Sequence, residues 1–443
     1  TETIKVARAR DVTITLVRTP RGMVISESLD GDHGALSIKA TWQRLVGARG
    51  LLSAHRASDV EDLAAHFDPW PALPINLVSG DTGGRIGWKL VGDAPIRTKG
   101  HGVIPLAGWD PGVGWKDVPV RFDHMPGAVD PPSGWLATAN NKATHETEPW
   151  LTHDWLDGYR VTRIGEELQG RTDWTPEQFG ELMLDRQSLV WRDLADTVRS
   201  AEVRGTDGTL AKELLVDWDG NCEADSVAAS VFELWVASMC RRVTMAKAPH
   251  AAEWAIGRSV FPLSGPGSVG SRRIQHLVTI MREQPDGWFD HPWEREAGDA
   301  LAEAVRQLRT HAGDDQQQWA WGSVRPLMLE HPMGQIGPMG KLFDLGPIPW
   351  GGSAHTINNG GVNLLDPFSN PVGIASLRMV VPVGEWDEVR ISLPGGQSGN
   401  PVSTHYDDMV PAWLSGEGVP LPWSDDAVRE ATAHLLTLVP ALT

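Results

Sequence analysis

The chain has 443 residues, a formal net charge of -18, 41% hydrophobic and 22% charged residues. That usage is ordinary for a globular protein and excludes wholesale disorder. The acidic balance excludes a surface built to hold nucleic acid or to cling to an anionic membrane. Length suggests about three domains, or one large α/β unit.

No apolar run of about 18 residues occurs, so no segment reads as a membrane span. The chain opens at Thr1, without an initiator Met or a signal-like stretch, and enters strand-like sequence at once. It reads as a processed or cut chain. Along residues 12–26, Val12, Ile14 and Leu16 alternate with Thr13 and Thr15, and the turn "TPRG" follows. This is hairpin sequence. Residues 54–67 read as a helix with Ser58 as N-cap and acidic residues in the first turn. Residues 75–137 return to short strands, with "DTGGRIGW" as a tight turn between two of them.

From 157 to about 340 the pattern is mainly helical. Thr175, Pro176 and Gln178 spell a capping box with Pro at the first helical position. "VAASVFELWVASMCRRVT" is apolar on most faces and reads as a buried helix, whereas "EREAGDALAEAVRQLRT" is amphipathic. Residues 341–443 are strand-rich again, with many Gly and Pro, and "DDAVREATAHLLTLV" closes the chain as a helix. The sum is an α+β chain: a strand-rich part over 1–156, a helical insertion over 157–340 and a second strand-rich part. The two strand blocks could share one sheet system.

The 21 Trp residues are read first as core packing, with some available to line an apolar pocket. Cys222 and Cys240 show no metal-ligand spacing. One disulfide and two buried free thiols stay open as alternatives.

Three stretches carry candidate chemistry. "GQSGNP" over 396–401 has a Ser398 flanked by Gly, but its spacing misses the nucleophile elbow and Pro401 argues for a loop. "HYDD" over 405–408 puts His405 near Asp407 and Asp408, a possible metal pair, although a hydrogen-bonded loop is the plainer reading. "TANNK" over 138–142 is followed by "HDWLDGYRVTRIGEEL". An Asn amide can stabilise an oxyanion, and an Arg at a helix start can orient that Asn or bind a carboxylate. On composition alone, Asn-Asn is a turn signal and Arg160 a surface charge.

Resemblance changes that balance. In order along the chain, "VTITLVRTPRGMVIS" (12–26), "INLVSGDTGGRIGWKLVGDAPIR" (75–97) and "GWLATANNKATHETEPWLTHDWLDGYRVTRI" (134–164) resemble the β-chain of the penicillin acylase family. So do "WAWGSVRPLMLEHPMG" (319–334), "FDLGPIPWGGSAHTINNGG" (343–361), "SLRMVVPVG" (376–384) and "LPGGQSGNPVSTHYDDMVPAWLSGEGVPLPW" (393–423). The resemblance implies a four-layer αββα N-terminal-nucleophile hydrolase interrupted by a helical insertion. It implies an amidohydrolase that cuts its own precursor, exposes a Ser, Thr or Cys, and forms an acyl-enzyme with its free α-amine as base. Asn140 then matches the family's oxyanion Asn, and Arg160 its active-site Arg.

The nucleophile-bearing stretch of the family has no counterpart here. The resemblance therefore implies partners: that segment and the α-chain of the same precursor, with a small acyl-amide as substrate. It implies no required cofactor. Structural calcium is possible, but its ligands fall largely in the missing stretch and the loop 142–152 departs from the family. Export to the periplasm or cell exterior is implied as well. Arg325 stands where the family usually has His, and Ser353 where "GGD" is common. The remaining alternatives are Thr1 as nucleophile and a binding protein that has lost catalysis.

Overall fold

The computed structural model describes residues 1–26, 34–43, 47–68, 70–71, 74–146, 148–258, 274–335, 337 and 340–440. Part of the predicted helical insertion, 259–273, lies outside the described residues, as does residue 147 of the 142–152 loop. The chain divides into two units, Thr1–Trp155 and Leu156–Thr443.

The first unit is built from short antiparallel ladders. Glu2–Ile4 pairs with Val12–Ile14. Arg18–Thr19, Gly22–Val24 and Ser37–Ile38 form a three-strand meander around the "TPRG" turn. Ile75–Gly80 and Ile86–Val91 make the expected hairpin, and Gly127–Val129 adds to its other side. The hairpin turn is held by Asp81, whose Oδ1 accepts from the N–H groups of Gly83 and Arg85 at 2.9 and 3.1 Å. Gly84 takes φ +82° there, which a side chain would resist. A small cluster of Leu90, Ala94, Val120 and Met125 is the apolar centre.

The predicted helix at 54–67 is two pieces, Leu51–Ala54 and Val60–His66. Asp59, not Ser58, is the cap: its carboxylate accepts from the N–H groups of Glu61 and Asp62 at 3.0 and 2.9 Å. Ser58 instead donates its hydroxyl to Asp59 and Asp62. The charged acceptor next door outcompetes the hydroxyl for the orphan N–H groups.

The second unit holds the large core. In the helix Val227–Lys247 every residue from Ser230 to Cys240 is buried, as the apolar sequence requires. It packs against the amphipathic helix Trp293–Ala312, with Trp235 Nε1 donating to the Ala297 carbonyl at 3.0 Å. Trp235, Trp319, Trp321, Phe232, Leu215 and Leu301 are fully buried. Each such side chain contributes about 1.5–3 kcal/mol through burial. Several Trp residues escape the core, Trp109 at 89% exposure among them.

The capping box at Thr175 is present, yet its helix ends at Leu182 and a second begins at Leu189, capped by Ser188. The tail helix is likewise shorter than its sequence pattern and spans Asp425–Ala431. Between 341 and 443 the strands are few: Leu345–Ile348, Arg378–Val380, Arg390–Ser392 and Val419–Pro420. Gly and Pro break the rest into loop, and the ladders close within this part and the neighbouring strand Leu327–Leu329. One shared sheet system is therefore not found among the described residues: six sheets of two or three strands stand in its place. No described helix is long and apolar enough to cross a membrane.

Candidate active site

Asn140 lies in the first unit, on the exposed surface of a turn, with φ +63°. Few residues other than Gly adopt that left-handed conformation, and Asn is among those that do. Its neighbour does the structural work: Asn141 Oδ1 accepts from the Ala139 N–H at 3.0 Å, and Asn141 Nδ2 donates to the Lys142 carbonyl at 3.1 Å. The pair thus divides its labour. Asn141 makes the turn, and Asn140 is displayed by it.

Arg160 lies in the second unit, at the second residue of the helix Tyr159–Leu168. A cation at a helix N-terminus meets the positive end of the helix dipole. Burial pulls its guanidinium below the ordinary arginine range. Arg163, one turn on, is a different case. It donates from Nε and Nη2 to Asp185 Oδ2 at 3.1 and 2.7 Å and pairs with Glu167 at 2.6 Å. Arg163 therefore anchors the helix to Asp185.

What surrounds Arg160 was not visible in sequence. His355 is buried, with its Nδ1 4.0 Å from Asp157 Oδ2 and its ring edge-on to Tyr159 at 5.7 Å between centroids. Tyr159 donates its hydroxyl to Asp193 Oδ2 at 3.1 Å, and Asp157 accepts from the Gln275 N–H at 3.1 Å. Burial first, and the nearby Arg160 charge second, push the imidazole down to about 3. It is neutral at any ordinary pH. The only sequence signal was a lone His in the small-residue run "GGSAHTIN".

The two departures from the family pattern are both internal. Arg325 is fully buried, stacked 4.2 Å from the Trp321 ring, and donates to the carbonyls of Gly352, Gly360 and Gly361. Desolvation pulls it down to about 10, partly offset by Glu233. Glu233, on the long buried helix, is pushed up to about 7 by burial, against the pull of Arg325 and a hydrogen bond with Ser353. Arg325, Glu233 and Ser353 form a polar cluster inside the core and are not exposed chemistry.

The other candidates have these settings. Ser398 sits in a loop with no following helix, its Oγ accepting from the Asn400 N–H at 3.1 Å. His405 pairs with Asp408 at 2.7 Å on the exposed surface. Cys222 and Cys240 are buried free thiols, and burial raises both, Cys240 to about 12. Thr1 is exposed beside the first strand. Among the described residues no three His, Cys, Asp or Glu side chains gather into a metal-holding group.

A profile of the family described as penicillin amidase matches residues 1–430. Penicillin acylase 2 proenzyme from Pseudomonas sp. is 29% identical over 396 residues, covering 87% of this chain and 49% of the relative. The acyl-homoserine lactone acylase QuiP of Pseudomonas aeruginosa is 24% identical over 428 residues, covering 88% and 49%. The chain thus spans about half the length of the curated relatives it matches. A penicillin G acylase from Alcaligenes faecalis superposes with a TM-score of 0.69 at 19% identity, over 100% of this chain and 81% of that one. That likeness gives the fold: the α+β N-terminal-nucleophile hydrolase fold that the resemblance implied.

Proposed function

Since this chain belongs to the penicillin amidase family, we propose that it is the larger C-terminal part of an amidohydrolase. It cleaves N-acylated small molecules through an acyl-enzyme on an N-terminal Ser, Thr or Cys of the same precursor. The observation that carries this reading is Asn140, displayed in a left-handed conformation by a turn that Asn141 makes. A non-Gly residue held there by its surroundings is the kind of local strain that clusters at functional positions. The amide would donate to the oxyanion of the tetrahedral intermediate, where such a donor is most effective. Arg160 would hold a substrate carboxylate.

The nucleophile's free α-amine takes the proton as the hydroxyl attacks, the amine product leaves, and water releases the acid. Relatives named as acylases of penicillin and of acyl-homoserine lactones support two substrate classes, β-lactam amides and N-acyl homoserine lactones. The partners are the α-chain and the nucleophile-bearing segment, and the compartment is the periplasm or cell exterior. The acidic charge suits neutral substrates and no nucleic acid.

The test is intact mass and N-terminal sequencing of every polypeptide in the purified full-length gene product, after labelling with a sulfonyl fluoride. Label on a terminal Ser, Thr or Cys outside this chain supports the proposal. Label on Thr1 moves the nucleophile into this chain, label on Ser398 replaces the mechanism, and a precursor with no such terminal residue leaves a binding protein.

A further inference from the structure

The loop Trp350–Gly361 has almost no regular structure and yet is largely buried, so its backbone polar groups need partners inside the fold. They have them. The Gly352 carbonyl accepts from Trp321 Nε1 at 2.9 Å, and Arg325 Nη1 reaches the carbonyls of Gly360 and Gly361 at 3.1 and 2.9 Å. The Gly352 N–H donates to the Cys222 carbonyl at 2.7 Å, and the Asn358 N–H to that of Asp185 at 2.8 Å. Arg378 Nη2 donates to Asn358 Oδ1 at 2.8 Å from the far side. Gly352 itself has φ +82°, and a Cβ there would meet the Asn358 carbonyl oxygen at 2.1 Å. The loop is therefore a pinned shelf with one conformation open to it.

That shelf presents His355 to the segment Asp157–Arg160. The imidazole meets the Asp157 carboxylate and the Tyr159 ring, each tied elsewhere, to Gln275 and Asp193. Both precede, within three residues, the Arg160 whose guanidinium lies within electrostatic reach of the same imidazole. A cation in this place would repel Arg160, and a cavity would release the segment.

We propose that His355 is a positioning residue for Arg160: a neutral wedge, held in place by the Arg325 clamp on its loop, that fixes the start of the helix and so aims the guanidinium. The proposal rests on the reading of Arg160 as part of the active site. It also gives Arg325 a purpose. An arginine where the family usually has His is no sign of lost catalysis if it anchors the loop that aims the catalytic machinery.

A double-mutant cycle in the full processed enzyme tests it. Turnover of penicillin G and of N-decanoyl-homoserine lactone is measured for wild type, Arg160→Lys, His355→Asn and the double variant. Misaiming by about an ångström costs on the order of 100-fold, so kcat for His355→Asn should fall about 10- to 100-fold with KM nearly unchanged. The double variant should be within about 2-fold of Arg160→Lys, since coupled sites do not add. Multiplying losses overturn the proposal while leaving Arg160 in place; wild-type turnover by Arg160→Lys overturns the reading of Arg160 itself. His355→Gln, whose carboxamide is one methylene longer and fills more of the imidazole's space than Asn, should regain part of kcat if it acts by positioning. Should the His355 variants not fold, the wild type still decides: histidine-labelled NMR should show one imidazole that stays neutral to about pH 4 and lies against a Tyr ring. If every imidazole titrates near the ordinary value of about 6.5, the wedge does not exist.

Discussion

Asn140 and His355 are held in opposite ways. Around Asn140 the hydrogen bonds are local: Asn141 reaches two residues back and one forward, and the turn closes on itself. Around His355 they are remote. The shelf is pinned by Arg325, Trp321, Cys222, Asp185 and Arg378, which come from four separate stretches of the second unit. A local turn can change its displayed side chain at little structural cost. A shelf whose partners all come from elsewhere couples any change in its clamp to the stability of the core. The same contrast separates chemistry that tolerates substitution thermodynamically from geometry that does not.

The largest expected effect breaks the shelf. Arg325→Ala removes the donor to three buried carbonyls and leaves Glu233 without its nearest positive field. Leaving buried acceptors without their donor costs about 1–3 kcal/mol each. Chemical denaturation of the processed enzyme should show a loss of that size, and a change below about 1 kcal/mol would mean that water replaces the guanidinium without penalty. Asn140→Ala is the reverse experiment. Its side chain is exposed, so stability should move by no more than about 0.5 kcal/mol, while turnover should fall about 100- to 1,000-fold. Wild-type kcat in a folded Asn140→Ala enzyme removes Asn140 from the oxyanion role.

The pH dependence sharpens the comparison further, because two buried groups of the second unit titrate in opposition. Folding drives His355 down to about 3, so below its unfolded value of about 6.5 the unfolded chain binds a proton that the native state refuses, and stability falls as pH falls. Folding drives Glu233 up to about 7, so above its unfolded value of about 4.3 the native state keeps a proton that the unfolded chain has released, and stability falls as pH rises through that window. Between about pH 4.3 and 6.5 the two slopes cancel. Glu233→Gln leaves the histidine alone. Relative to wild type, its stability should drop more steeply on acidification, by up to about 1.4 kcal/mol per pH unit. Denaturation curves at two pH values inside the window measure this directly, and parallel shifts in the two proteins would count against a protonated Glu233.

What sequence could show divides along the same line. The "DTGGRIGW" hairpin, the capping box at Thr175 and the buried helix Val227–Lys247 are short-range patterns, and each was readable from neighbours in the chain. Ser58 was misread because the competing acceptor, Asp59, is one residue away and stronger by its charge. Asn140 and Arg160 entered through resemblance, since Asn-Asn alone spells only a turn. His355 and Glu233 were invisible for a different reason. A His among small residues and a Glu inside an apolar helix acquire meaning only when distant segments meet, Asp157 and Tyr159 in one case and Arg325 and Ser353 in the other. Arg325 and Ser353 did stand out as departures from the family, but sequence could not tell a weakened site from a rebuilt core.

The smallest effect returns to a feature that is wholly local and belongs to the second unit, where the remote network dominates. Thr175 Oγ accepts from the Gln178 N–H at 3.4 Å, and Gln178 Oε1 accepts from the Thr175 N–H at 3.1 Å. Thr175→Ala removes one half of this box and should cost about 1 kcal/mol, a Tm change of about 2–4 °C for a unit of this size. The box is exposed and far in sequence from Asn140, Arg160 and His355, so kcat and KM should stay at wild-type values. If locality of bonding, and not membership in one unit, decides what a substitution disturbs, this variant must resemble Asn140→Ala in its small structural cost and differ from Arg325→Ala. A Thr175→Ala enzyme that loses stability on the scale of the Arg325 variant would show instead that the second unit unfolds as one network from any point on its surface.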